Sequence, residues 1–288
     1  MTVIAVAQFA PVIGEVAANR QTAAAAVAEA AAAGAELVVL PELCDSGYVF
    51  NSAEEARGLA TGAGDSPTLR QWQELAAAHQ TVIVGGFCEL GGGGAVHNSA
   101  ALVDASGTRA IYRKAHLWDR EKLVFIPGAA PPPVVSLPFG NVAVVICYDL
   151  EFPEWIRLPA LDGADLIAAP VNWPAAPRPA AERPAEVVKA QADASTNGVF
   201  VAVADRCGTE RGVEWIGGSV IIGPDGYPAA GPVVADHRAV LTADCDLARA
   251  RHKRINDHND VLGDRRPGLY SPVTSGDHGS PTPAVPAG

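Results

Sequence analysis

Lysine is scarce in this chain. Of 21 basic residues only Lys114, Lys122, Lys189 and Lys253 are lysine, and the rest are arginine. Positive charge is short overall. Against 32 Asp and Glu it leaves a formal net charge of −11. An acidic surface repels phosphate backbones, which argues against nucleic acid as a partner. Cysteine is sparse, with five scattered residues (Cys44, Cys88, Cys147, Cys207 and Cys245) and no CxxC pair. An odd, unpaired set fits neither a disulfide framework nor a zinc site. No metal and no cofactor is expected. No apolar run of about 18 residues is free of charged or helix-polar interruptions, so no membrane span is expected. No GxGxxG follows a strand, and Gly91 to Gly94 lacks the Lys-Ser/Thr of a phosphate loop. The first residues, MTVIAVAQFAPVIGE, have no basic n-region and read as a strand rather than a signal peptide. With free thiols, the expected location is a reducing cytoplasm.

What is present is a globular balance. The chain has 288 residues, 49% hydrophobic and 18% charged, enough for a sizeable core and too apolar for disorder. Length alone allows one large domain or two small ones.

Along the chain, apolar strand runs alternate with helical patterns. Strands are expected at 3–9, 36–40, 81–87, 97–103, 108–114, 142–146, 166–169, 199–204, 218–222 and 239–245. Helices are expected at 16–33, 66–79, 152–161 and 185–197. Gly34 suits a left-handed C′ position, and Ser66-Pro67 suits a helix start. The continuous runs Glu36–Leu40 and Val142–Ile146 suit strands buried on both faces. Alternating elements with inserted meanders predict an α/β layered sandwich. No linker interrupts 1–271, which reads as a single domain. Residues 272–288 read as a Pro/Gly-rich C-terminal tail.

Three residues stand at strand ends, where α/β folds bind ligands. Cys147 closes a buried strand just before a helix, whose N-terminal partial charge favours a thiolate. From position alone it is either a nucleophile or a small buried core residue. Glu42 follows Pro41 at the end of the 36–40 strand. A carboxylate there serves as a general base or is a solvated turn residue. Lys114 ends the 108–114 strand. In a chain this poor in lysine, the position suggests a need for an ammonium rather than a guanidinium. Glu121 follows seven residues later. His252, Asp257 and His258 lie in a charged stretch that reads better as solvated surface than as a metal site.

Leu40-Pro-Glu42, Tyr112-Arg-Lys114-Ala-His-Leu, Arg120-Glu121-Lys122 with Phe125-Ile-Pro-Gly128, and Ile146-Cys147-Tyr148-Asp149 with Phe152-Pro-Glu154 together resemble the nitrilase superfamily of carbon–nitrogen hydrolases. So do Gln8, the His97-Asn98-Ser99-Ala100 strand and Asp260 with Asp264-Arg265-Arg266-Pro267. The likeness runs over nearly all of 1–270. It implies an α-β-β-α four-layer sandwich and a Glu–Lys–Cys triad. In that pattern Cys147 is the nucleophile, Glu42 the general base and acid, and Lys114 with the Tyr148 backbone N–H the oxyanion hole. Glu121 matches a second glutamate that orients substrate and triad. The implied activity is hydrolysis of a small aliphatic carboxamide to acid and ammonia through a Cys thioester.

The alternatives are a nitrilase, an omega-amidase acting on dicarboxylic acid monoamides, acyl transfer to an amine or hydroxylamine, and a catalytically inactive binding homologue. Asp149 favours amides, because nitrile-cleaving relatives usually carry Glu nearby. Glu151 stands where omega-amidases show Arg, which points away from acidic substrates. Tyr48, Trp118, Asn172 and Trp173 are expected around the substrate. The family also implies a homodimer or larger homo-oligomer.

Overall fold

The computed structural model describes residues 1–179, 181–270 and 273. The described chain divides at His252/Lys253, inside the stretch expected to be one domain. The tail expected at 272–288 lies outside the described residues, apart from Val273.

The first half of the chain lays down β1 (Thr2–Gln8), α1 (Val16–Ala32), β2 (Leu37–Val39), α2 (Ala53–Leu59), α3 (Pro67–His79), β3 (Val82–Leu90), β4 (Val96–Asp104) and β5 (Gly107–Arg113). The second half adds β6 (Val134–Leu137), β7 (Gly140–Val144), α4 (Pro153–Leu161), β8 (Leu166–Pro170), α5 (Ala185–Asn197) and β9 (Phe200–Ala204). A short ribbon, β10 (Thr209–Glu210) with β11 (Val213–Glu214), precedes β12 (Val220–Ile222), β13 (Pro228–Ala230) and β14 (Ala239–Cys245).

Two six-stranded sheets result, ordered β14-β1-β2-β3-β4-β5 and β13-β12-β9-β8-β7-β6. Each has three parallel strands at its centre, β1-β2-β3 or β7-β8-β9, flanked by antiparallel ones. Alternation along the strands assigns the faces. Ile4, Val6, Val39, Val84 and Leu102 join the core that also holds the second sheet. Their neighbours Ala5, Ala7, Val38, Ile83 and Val103 pack on α1 and α3 instead. Ile156 and Ala160 of α4, with Val187, Ala190 and Ala194 of α5, cover the second sheet. The layers are therefore α-β-β-α, the four-layer sandwich that the sequence led us to expect. The alanines of α1 (Ala23, Ala26, Ala30) let that helix sit close to its sheet. Leu37, Val38 and Val39 of β2 are all fully buried, each worth about 1.5–3 kcal/mol of apolar burial.

Several elements depart from the sequence reading. β7 ends at Val144 rather than 146, although Val145 N–H still donates to Ala168 O, 3.1 Å. α2, β6, β10, β11 and β13 were not expected. They are short, and β11 and β13 contain half-buried or exposed residues with no apolar run to mark them. Among the described residues, no helix is long and apolar enough to cross a membrane.

Candidate active site

The parallel strands of the two sheets deliver their C-terminal ends to one place. β2 leads through Leu40-Pro41 to Glu42. The pairing with β3 continues past the strand, with Leu40 N–H donating to Val84 O (2.8 Å) and Gly86 N–H to Pro41 O (3.1 Å). Gly86 is required there, since a Cβ would lie 2.5 Å from Glu42 Cα and 2.4 Å from Leu43 N. β5 delivers Lys114, whose N–H donates to Asn98 O at 2.9 Å. A 3₁₀ turn, Asp119–Leu123, delivers Glu121. β7 delivers Cys147, the first residue of a second 3₁₀ turn, Cys147–Glu151.

These side chains are buried. Glu42 is fully so, Lys114 is 1% exposed, Glu121 5% and Cys147 6%. Lys114 Nζ donates to Glu42 Oε1 and to Glu121 Oε1, both at 2.7 Å. Asn98 Nδ2 also donates to Glu42 Oε1 (2.7 Å) and reaches Glu121 Oε1 at 3.3 Å. Glu121 Oε2 accepts the Trp118 N–H at 2.9 Å. Asn172 Nδ2 donates to Glu42 O (2.9 Å), and Cys147 Sγ lies 3.7 Å from Asn172 O. One cation is thus shared by two carboxylates, while Glu42 Oε2 is buried with no partner. A buried carboxylate oxygen without a donor is costly, which marks it as an atom placed for something other than stability.

Backbone strain gathers here as well. Leu43 (φ 46°), Asp119 (φ 42°) and Cys147 (φ 46°) adopt the left-handed region without being glycine. Each such residue costs about 1–3 kcal/mol and persists only where the surroundings impose it.

Electrostatics sets the resting charges. Burial pushes the Glu42 carboxyl up to about 7, with Lys114 opposing the rise and Glu121 adding to it. Burial by itself would lower the Lys114 ammonium, but Glu121 and Glu42 outweigh it and hold the lysine well above its usual value. The Cys147 thiol is raised well above the ordinary range, first by burial and then by Glu42, with Lys114 opposing. The thiolate expected from the helix N-terminus is therefore not the resting state. Cys147 opens a tight 3₁₀ turn rather than a regular helix, and burial beside a carboxylate dominates.

A cavity of about 160 Å³ opens beside the cluster and reaches it through Glu121. Its walls include Tyr48, Phe50, Trp118, Phe125, Pro174 and Trp215. The Tyr48 phenol is pushed up by burial and by Glu121, Glu42 and Cys147, which places it next to the cluster. Tyr48 and Trp118 line this cavity, whereas Asn172 lies against Glu42 O and Cys147 Sγ, outside the cavity lining. Trp173 does not line it: it is 4% exposed and packed in the hydrophobic core, with its backbone N–H donating to Asp205 Oδ1 at 3.0 Å. Glu151 does not either. Its carboxylate pairs with Lys189 of α5 at 2.6 Å and lines no part of this cavity. Pro174, the residue after Trp173, lines the cavity instead.

Asn98 and Trp215 were given no role from sequence. An asparagine inside an apolar strand was the available signal for Asn98, since a buried amide needs partners. Asp149 is also buried. It accepts from Tyr112 Oη (2.7 Å) and Ile146 N–H (3.0 Å), and its other oxygen contacts His116 Nδ1 (2.7 Å). It braces the nucleophile turn and does not face the cavity lining. Among the described residues, no cluster of three or more His, Cys, Asp or Glu could hold a metal ion.

Comparison with known proteins places these features. A family model described as "Carbon-nitrogen hydrolase" matches residues 3–255. A protein named "Nitrilase" from Pyrococcus abyssi is 39% identical over 94% of this chain and 99% of its own length. An N-carbamoylputrescine amidase from Arabidopsis thaliana is 34% identical over 89% of this chain and 90% of its own. The structure of an amidase from Nesterenkonia sp. AN1, with acrylamide added to its active-site cysteine, superposes with a TM-score of 0.78. It is 28% identical and covers 95% of this chain and 100% of its own.

Proposed function

The chain belongs to the carbon–nitrogen hydrolase family of the nitrilase superfamily, and on that premise we propose that it is a thiol-dependent amidase releasing ammonia from a small carboxamide. The observation that carries this reading is the Glu42–Lys114–Glu121 cluster beside Cys147, with Glu42 Oε2 left unpartnered. An amide is a poor electrophile, so the site needs a nucleophile, a fixed positive charge for the oxyanion and a proton donor for the amine.

Glu42 Oε2 takes the proton of the Cys147 thiol, and sulfur bonds to the carbonyl carbon. A carboxylate that titrates near 7 is matched to this exchange, because it both accepts and returns a proton at neutral pH. The oxygen of the tetrahedral adduct takes up the negative charge, held by Lys114 Nζ and the Tyr148 backbone N–H. The C–N bond breaks as Glu42 gives its proton to the departing amine. Water then attacks the thioester carbon with Glu42 taking its proton. The C–S bond breaks, and sulfur recovers a proton from Glu42. Glu121 keeps Lys114 charged and aimed. General acid–base catalysis and oxyanion stabilisation are each worth about 10²–10⁴-fold in rate.

The substrate is read from the cavity rather than from Glu151, which pairs elsewhere. About 160 Å³ with aromatic walls suits a short, uncharged acyl chain. The name of the Pyrococcus abyssi relative favours a second reading, direct conversion of a nitrile to an acid. An ammonia-release screen over neutral, cationic and anionic amides plus nitriles tests both, with Cys147→Ala as the blank. We expect release from short neutral amides above the blank. Release from no amide would overturn the reading, and release from nitriles alone would replace it with the second one.

A further inference from the structure

The aromatic walls of the cavity come from two separate stretches of chain. Tyr48 lies on the loop after β2, and Trp215 comes directly after the β10–β11 ribbon. Their rings meet edge to face at 5.1 Å. Behind them lies a buried ion pair for which the amidase chemistry has no use. Arg206 is 1% exposed and Glu210 5%. Arg206 NH1 lies 3.1 Å from Glu210 Oε1, and NH2 donates to Pro11 O at 2.8 Å. The guanidinium also rests over the Trp215 ring, 4.8 Å from its centroid. On the other side, Glu210 Oε2 accepts the backbone N–H of Tyr48 (2.9 Å) and of Val49 (2.7 Å). The loop passes so close that a Cβ at Gly47 would lie 2.8 Å from Glu210 Oε1. One pair of side chains thus ties together the two walls.

We propose that Glu210 and Arg206 are positioning residues that set the width of the acyl-binding cavity, by clamping the Tyr48 loop to the Trp215 wall. The inference rests on the amidase reading above. A buried ion pair is weak evidence for stability, and its best-attested use is to fix the register of the segments it joins. Three hydrogen-bonded or ionic ties to Glu210, plus an aromatic face on Arg206, leave the walls little freedom to part. The clamp touches neither Cys147 nor the atoms that move protons, so its loss acts on substrate fit rather than on the chemical step.

A second tie spans the same two segments at the surface. Arg211 NH1 donates to Val49 O at 2.8 Å, and NH2 pairs with Glu55 Oε1 at 2.6 Å. Arg211 and its partner Glu55 pair at the surface, Arg211 being exposed, so removing Arg211 leaves no buried charge behind.

The test measures kcat and KM for acetamide, propionamide, butyramide and valeramide on wild type, Glu210→Gln and Arg211→Ala. With Glu210→Gln we expect KM for the longer amides to rise about tenfold, while KM for acetamide and kcat for all four move by less than about threefold. Arg211→Ala is expected to shift the chain-length profile in the same direction by about threefold. If Glu210→Gln fails to fold, the Arg211→Ala profile decides. A chain-length profile unchanged in the folded variants overturns the clamp and leaves the amidase reading intact. Changes in kcat alone, equal across the series, also overturn it. Wild-type protein inactive on every amide overturns both.

Discussion

Replacing Glu42 by Gln separates the two jobs that this carboxylate holds in the proposed cycle. The amide keeps the shape and one oxygen, so Lys114 and Asn98 retain an acceptor where Glu42 Oε1 now stands. Lys114 also keeps Glu121 at 2.7 Å, so its charge stays compensated. What is lost is the titratable oxygen, Oε2, which is buried and unpartnered. Turnover therefore loses the general acid–base contribution, about 10²–10⁴-fold in kcat/KM. The thiol responds in the opposite sense. The negative charge of Glu42 is one of the causes that raise Cys147, so removing it lowers the thiol. The rate of alkylation by iodoacetamide then rises to its plateau at lower pH in the variant than in wild type. Ammonia release and alkylation, each followed from pH 5 to 10, give both readouts on one preparation. Retention of more than about a tenth of wild-type kcat/KM, or an alkylation profile moved to higher pH, refutes the role assigned to Glu42.

In wild type, kcat/KM is expected to fall as pH drops below about 7, because Glu42 must be ionised to take the thiol proton; a flat profile from pH 5 to 8 contradicts this. Lys114→Met leaves two buried carboxylates without their cation, and the denaturant midpoint should report a loss of about 3–5 kcal/mol together with loss of turnover. Asp193 of α5 is pushed up to about 7 by burial and by Glu151. Its folded form binds a proton that the unfolded chain has lost, so wild-type stability falls as pH rises from about 4 to 7. Asp193→Asn removes that slope, and its stability advantage over wild type should widen across this window to on the order of 1–3 kcal/mol in melts at stepped pH. Turnover is expected to be lost to thiol alkylation and unchanged by EDTA, which ammonia release after each treatment checks. Light scattering at micromolar concentration is expected to give at least a dimer.

Much of the architecture was legible in the sequence because its central strands are continuous apolar runs. β2, β8 and β9 carry such patterns, and α5 spans 185–197 as the sequence led us to expect. The short elements α2, β6, β10, β11 and β13 were not, since strands of two to four residues and a seven-residue helix are too short to give a period to read. In the site, Glu42, Lys114, Glu121 and Cys147 were legible through motif order, and the fold brings them together. Their charge states were not, because they depend on burial and on a shared lysine that only the three-dimensional arrangement supplies. The same limit explains Glu151. A charge three or four residues from a nucleophile looks like a substrate contact in one dimension, whereas the 3₁₀ turn directs it to Lys189. Trp215 was missed because its cavity position depends on a ribbon too short to be recognised.

The uneven charge of the buried cluster bears on how a reaction cycle ends. One ammonium between two carboxylates leaves the ionised site with an excess of one negative charge. An uncharged amide enters without meeting that excess. In the proposed cycle hydrolysis turns it into a carboxylic acid, and once that acid loses its proton it is a third carboxylate beside the other two, where like charges in a low-dielectric space repel strongly. On the proposed reaction, the acid formed is expected to be expelled by the same side chains that made it, and its accumulation outside to do little to slow turnover.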